Sequence, residues 1–263
     1  MPHNTIDYLK LAQHISGLCD MVSSCGVQLE LRHDFGYFVR LCENLTEKPF
    51  PTAMFNPMHH YIGPENGLWI KGTNAEGDVV HVQALRYDDL TGTNLARTFE
   101  DMTAFYCDPS VSAPEGEYCR SFAPSARKIT GQVVYHGELW LRPDMRGLEL
   151  SRPLGRLAMA LALASWNPDY YYAFMYQRSV DRGLNQRFGF WHTEPRAVYW
   201  VRPYRNEPLD VHLMWLERQD LLSQVDDWVW QNGEFEIASE IGKASQSGAA
   251  IEELRPKEKA LVG

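Results

Sequence analysis

The chain has 263 residues, 44% of them apolar, and carries a formal charge of −9, so it can bury a core as one large domain. That negative balance argues against bulk nucleic-acid binding, which needs clustered cations facing phosphates, and it suits a cationic amine substrate better. No stretch reaches the roughly 18 uninterrupted apolar residues of a membrane span, which predicts no membrane partner. The opening MPHNTIDYLKLAQHISGLCD lacks the basic and apolar regions of a signal peptide. Cys19, Cys25, Cys42, Cys107 and Cys119 are odd in number and contain no CxxC pair, which disfavours a disulfide framework and a thiolate zinc site, so a cytoplasmic location is expected.

Ile6, Leu9, Leu11, Ile15, Leu18 and Met21 fall at helical spacing behind Asn4 or Thr5 as a cap, predicting an N-terminal helix over 5–23. Val27, Leu29 and Leu31 then alternate with polar residues as on a half-buried strand. Asp34 is placed to cap a second helix carrying Phe35, Phe38 and Cys42, and residues 50–66 read as loop or short helix. Strand-like runs at 67–71 and 79–87 flank a turn-rich stretch and predict an antiparallel hairpin. Residues 95–106 have helical spacing, whereas 108–126, rich in Pro and Ser, predict an irregular flap.

The second half alternates more regularly. A strand at 132–141 leads through a turn at 142–149 into an apolar helix at 152–166, broken by Asn167 and Pro168. An aromatic run at 169–176 suits a central strand. Ser179 is placed to cap a helix with Val180, Leu184 and Phe188 on one side, and Gly189-Phe190 reads as its left-handed stop. Strands at 197–202 and 209–216 and a helix at 219–230 follow. The tail 243–263 has too little apolar content to fold alone, so a single domain over 1–242 with a flexible tail is expected.

The stretch GELWLRPDMRGLELSRPLGRLAMALA, 137–162, joins a strand, a turn containing Arg and Gly, and an apolar helix. Such a turn aims unpaired backbone N–H groups and the positive end of the helix dipole at one point, where phosphate binds well. It resembles the GNAT superfamily of N-acetyltransferases. There a Pro-containing turn after the fourth strand is followed by Arg or Gln, two residues, Gly, one residue, and Gly or Ala. Arg142-Pro143-Asp144 and Arg146-Gly147 match, while Glu149 stands in place of Gly and Ser151 in place of Gly or Ala. The segment 179–195 adds to the likeness through Gly189-Phe190, but Asn185 replaces the family's general-acid Tyr.

The resemblance covers 27–216 as an order of elements and 139–190 at the level of motifs, within a core taken as 132–216. It implies an α/β fold of the GNAT acyltransferase type: a central mixed twisted sheet flanked by helices, here with an extra N-terminal helix. It further implies acetyl-CoA or another acyl-CoA as co-substrate, bound by Leu139, Trp140, Leu141, Arg142, Arg146, Gly147, Leu148, Glu149, Leu150, Ser151 and Arg152, without a metal. The acceptor implied is a small-molecule amine or a peptide or protein amine that attacks the thioester directly. Glu149-Leu150-Ser151-Arg152 resembles the Glu-x-Ser-Arg run of the acyl-homoserine-lactone synthases, which implies as one alternative a long-chain transfer from acyl carrier protein or acyl-CoA; an inactive binding module is the other. A homodimer is compatible with the sequence.

Direct attack needs a general base. Two-residue alternation places His136, Glu138, Trp140 and Arg142 on one strand face, which makes Glu138 the first candidate, His136 the second and His192 a third.

Overall fold

The computed structural model describes residues 5–45, 47–48 and 50–227. The predicted tail 243–263, the end of the last predicted helix and the alternative cap at Asn4 lie outside these residues.

The elements run in chain order as α1 (Tyr8–Ser24), β1 (Gln28–Arg32), α2 (Phe35–Glu43), β2 (Gly67–Thr73), β3 (Val79–Leu90), α3 (Leu95–Glu100), α4 (Pro109–Ser112) and β4 (Tyr118–Arg120). Then come β5 (Gly131–Leu141), α5 (Ser151–Trp166), β6 (Tyr170–Met175), α6 (Gln177–Val180), α7 (Leu184–Phe188), β7 (His192–Val201) and β8 (Leu209–Glu217). Residues 218–227 are helical. The strands form one sheet in the order β1-β2-β3-β5-β6-β8-β7-β4. Among the described residues only β5 and β6 are parallel neighbours, joined by the α5 crossover; every other pair is antiparallel. This is the mixed α/β sheet flanked by helices that the sequence implied, with α1 as the additional helix.

The sheet is covered on both faces. On one, Leu85, Val134, Tyr171 and Met214 pack with Met159 and Leu163 of α5 and with Leu221 of the last helix. Leu18 of α1 meets Leu157 of α5 on the same face. On the other, Trp69, Tyr135 and Tyr172 pack with Phe35 and Phe38 of α2, Phe99 of α3 and Phe55. The alternation along β5 follows from this, because successive side chains of a strand enter opposite layers.

Several local readings change. Asp7, not Thr5, caps α1, its carboxylate accepting from the Leu9 and Lys10 amides. The helix expected over 95–106 stops at Glu100, with Met102 at φ 65° turning the chain back. The expected flap contains α4 and the edge strand β4, which pairs with β7. The single helix expected from Ser179 is two short ones: Gly183 at φ 70° separates them and Ser179 lies inside α6. The cap at Asp34, the break at Asn167 and the left-handed stop at Gly189 are as expected, and Asn167 is also left-handed.

Candidate active site

The parallel strands separate part-way along. Pairing of β5 with β6 runs only from Val133↔Tyr170 to His136↔Ala173. Beyond that point β5 continues beside β3, and β6 continues beside β8. A cavity of about 360 Å³ opens between them.

The cause is a β-bulge. Ala84 of β3 faces Gly137, but Val82 faces Trp140, so β5 carries one extra residue here. Glu138 takes the left-handed conformation, φ 57°. A bulge bends its strand and increases the local twist, which carries 137–141 away from β6. Gly137 is required by close approach: a Cβ there would lie 2.6 Å from the Phe55 ring and 2.8 Å from the Tyr135 hydroxyl.

The bulge also overturns the expected shared face of His136, Glu138, Trp140 and Arg142. His136 lies on the α5 side, its ring 5.7 Å from that of Tyr171. Trp140 joins the opposite core layer with Tyr135 and Phe55. Glu138 reaches towards the segment before the 53–55 turn, where its carboxylate accepts from Lys48 Nζ at 2.6 Å and from the Thr52 amide at 2.8 Å. The Glu138 and Lys48 side chains are 6% and 3% exposed. Arg142 is spent on Asp144 and Asp78, at 2.7 and 3.1 Å.

His136 is held in one tautomer. Gln83 Nε2 donates to the Leu154 carbonyl at 3.0 Å, which leaves Gln83 Oε1 to accept from His136 Nε2 at 3.1 Å. The proton is therefore on Nε2, and Nδ1 is an acceptor with no partner among the described residues. Burial, with His81 nearby, pushes His136 down to about 3. The ring stays neutral through the physiological range and is a weak base.

A second cavity, about 410 Å³, lies at the N-terminus of α5. Leu139, Trp140, Leu141, Arg146, Gly147, Glu149, Leu150 and Ser151 line it as the sequence implied. Arg142, Leu148 and Arg152 are not part of its wall. The amides of residues 147–151 donate to no acceptor among the described residues in hydrogen-bond geometry. Arg146 braces the loop through its Nε, 3.0 Å from the Leu141 carbonyl. Glu149, at φ 55°, is exposed and forms no ion pair among the described residues.

Two further cations, Arg182 and Arg187, line this cavity from the segment after β6. Sequence reasoning missed them, although parallel strands bring their C-terminal ends, and the segments leaving those ends, to one edge of the sheet. The approach is tight: a Cβ on Gly155 of α5 would lie 3.0 Å from the Phe188 backbone. Leu139, Trp140, Ser179, Leu184 and Phe188 line both cavities, which therefore adjoin.

The remaining sequence candidates are engaged elsewhere. Asn185 donates to Thr193 Oγ1 at 3.0 Å. His192 stacks on Trp215 at 4.0 Å and faces Asp220 at 3.1 Å. Tyr171 and Tyr172 are core residues, whereas Tyr176 reaches the cleft.

Solved structures similar to this chain are distant from it in sequence. A chimera of the spermidine N-acetyltransferase SpeG of Vibrio cholerae and hSSAT is 12% identical, with a TM-score of 0.43 over 74% of this chain and 99% of that one. SpeG of Vibrio cholerae in complex with manganese ions is 12% identical, with a TM-score of 0.43 over 78% and 98%. The dodecameric SpeG of the same organism is 12% identical, with a TM-score of 0.42 over 75% and 98%. No protein-family model matches the chain, and no curated protein is similar to it in sequence.

Proposed function

We propose that this protein is an acyl-CoA-dependent N-acyltransferase that moves an acyl group to an amine by direct attack. One observation carries the reading: the opening between β5 and β6 adjoins a cationic cavity at the N-terminus of α5, the two sharing five wall residues. A diphosphate fits the free amides of residues 147–151, the positive end of α5 and the guanidinium groups of Arg182 and Arg187. The exposed carboxylate of Glu149 opposes it and lowers affinity without closing the cavity.

The pantetheine arm would run along the open side of Gly137–Leu141, whose β6-facing edge has no strand partner among the described residues. A backbone N–H of that edge is the donor for the carbonyl oxygen as negative charge develops on it. The amine nitrogen attacks the thioester carbon, the C–N bond forms, and the C–S bond breaks. The proton lost by the amine passes to a base and the thiolate leaves. Glu138 is the base in this proposal: among the described residues it is the one carboxylate lining the cleft, and its oxygens retain lone pairs beyond those given to Lys48 and Thr52. His136, with its depressed basicity, is set aside as the base.

The test is a thiol-release assay with acyl-CoA donors and a panel of primary amines. Amine-dependent release of coenzyme A, with the acylated amine identified by mass, is the expected result. Coenzyme A binding without transfer to any amine would point to a binding module instead.

A further inference from the structure

Resting on the reading of the α5 cavity as a coenzyme A site, we infer that the acyl group is a medium-length alkyl chain rather than acetyl. The cleft does not end at the opening between the strands. It passes through the sheet into a lumen walled by Phe105, Phe174, Val198, Trp200, Leu209 and Val211. Phe105 and Trp200 close its side as a stacked pair, with ring centroids 4.1 Å apart.

Charge is distributed unevenly along this path. At the α5 end lie Arg146, Arg182, Arg187 and the helix N-terminus, against the one carboxylate of Glu149. In the cleft as a whole the only charged side chains among the described residues are Lys48 and Glu138, already joined at 2.6 Å. A polyamine drawn into the lumen would find no carboxylate to itself, and desolvating its charges there is costly. An acetyl group would leave the aromatic end unfilled. The two adjoining cavities match a molecule with an anionic head and an apolar tail, the tail entering past Leu139 and Phe188, which line both. The amine acceptor then meets the thioester at the rim, beside Glu138.

Each methylene moved from water into such a lining tightens binding about fourfold, so chain length is a sensitive readout. Coenzyme A, acetyl-CoA and octanoyl-CoA are titrated calorimetrically into the full chain and into Leu209→Trp, which narrows the lumen. Octanoyl-CoA is expected to bind the native protein at least about thirtyfold more tightly than acetyl-CoA, and Leu209→Trp to abolish that advantage. Equal affinity of the two thioesters, with coenzyme A still bound, would overturn the inference and leave the acyltransferase reading intact. An octanoyl preference that survives Leu209→Trp would also overturn it, since the chain would then lie elsewhere. Failure of all three ligands to bind would remove the acyltransferase reading and this inference with it.

Discussion

Lys48 Nζ lies 2.6 Å from Glu138 Oε2 in the wall of the cleft, with both side chains almost fully buried. The pair fastens the segment before Thr52 to the left-handed residue that creates the bulge, so one contact holds both the shape of the opening and the proposed base. Removing one member breaks a buried ion pair, which costs about 3 kcal/mol or more. Glu138→Gln is therefore expected to lower the urea midpoint markedly, and Lys48→Met combined with Glu138→Gln to recover most of the loss. Turnover should separate the two roles: at least tenfold lower in Glu138→Gln and not restored in the double variant. Full turnover in the double variant would make Glu138 a positioning residue.

His136 and His81 predict an acid-sensitive fold. Burial holds His136 down to about 3 and His81 down to about 4, while the unfolded chain protonates histidine near 6.5. Below that pH the unfolded state binds more protons than the native state, so stability is complete above about 6.5 and is lost as pH falls towards these lowered values. The slope is about 1.4 kcal/mol per pH unit for each such group. Chemical denaturation between pH 6 and 4 should show it, and His136→Gln, whose amide can still donate to Gln83, should flatten it by about one group's share. The same variant should keep turnover within about twofold at neutral pH, because a neutral ring of such low basicity takes no proton from the amine.

The cationic cavity discriminates among arginines. Arg182→Ala and Arg187→Ala should each weaken coenzyme A binding about fivefold, with the loss shrinking in high salt as exposed charges are screened. Arg142→Ala should change it less than twofold, because that guanidinium is tied to Asp144 and Asp78. Titration calorimetry at two salt concentrations checks all three.

Glu149→Gly should act in the opposite direction. It removes a carboxylate from the cavity wall and relieves a left-handed backbone that favours glycine. Coenzyme A affinity is expected to rise about threefold without loss of thermal stability; weaker binding would show that the carboxylate has a partner role in the site.

The framework was readable where local chemistry is decisive: Asp34 as a cap, Asn167 and Gly189 as stops, and the strand, turn and apolar helix from 131 to 166. The sites of failure share one cause, which is that partners distant in sequence decided the outcome. Two-residue alternation carries no signal for an extra residue, so the bulge at Glu138 stayed hidden, and with it the side towards which Glu138 points. Lys48 precedes Glu138 by ninety positions in the chain and only the packing of the 48–55 segment on the sheet unites them. Arg182 and Arg187 sit in a stretch that reads as one amphipathic helix. Their place in the cavity depends on the parallel pairing of β5 with β6 and on the break at Gly183.

Amide hydrogen exchange with and without coenzyme A bears most directly on the proposed ligand path. Protection should rise at 147–151, where a diphosphate would take the free amides, and along 137–141, where the pantetheine arm would line the open strand edge. Binding that leaves both segments unchanged, while protecting amides elsewhere in the chain, would contradict it.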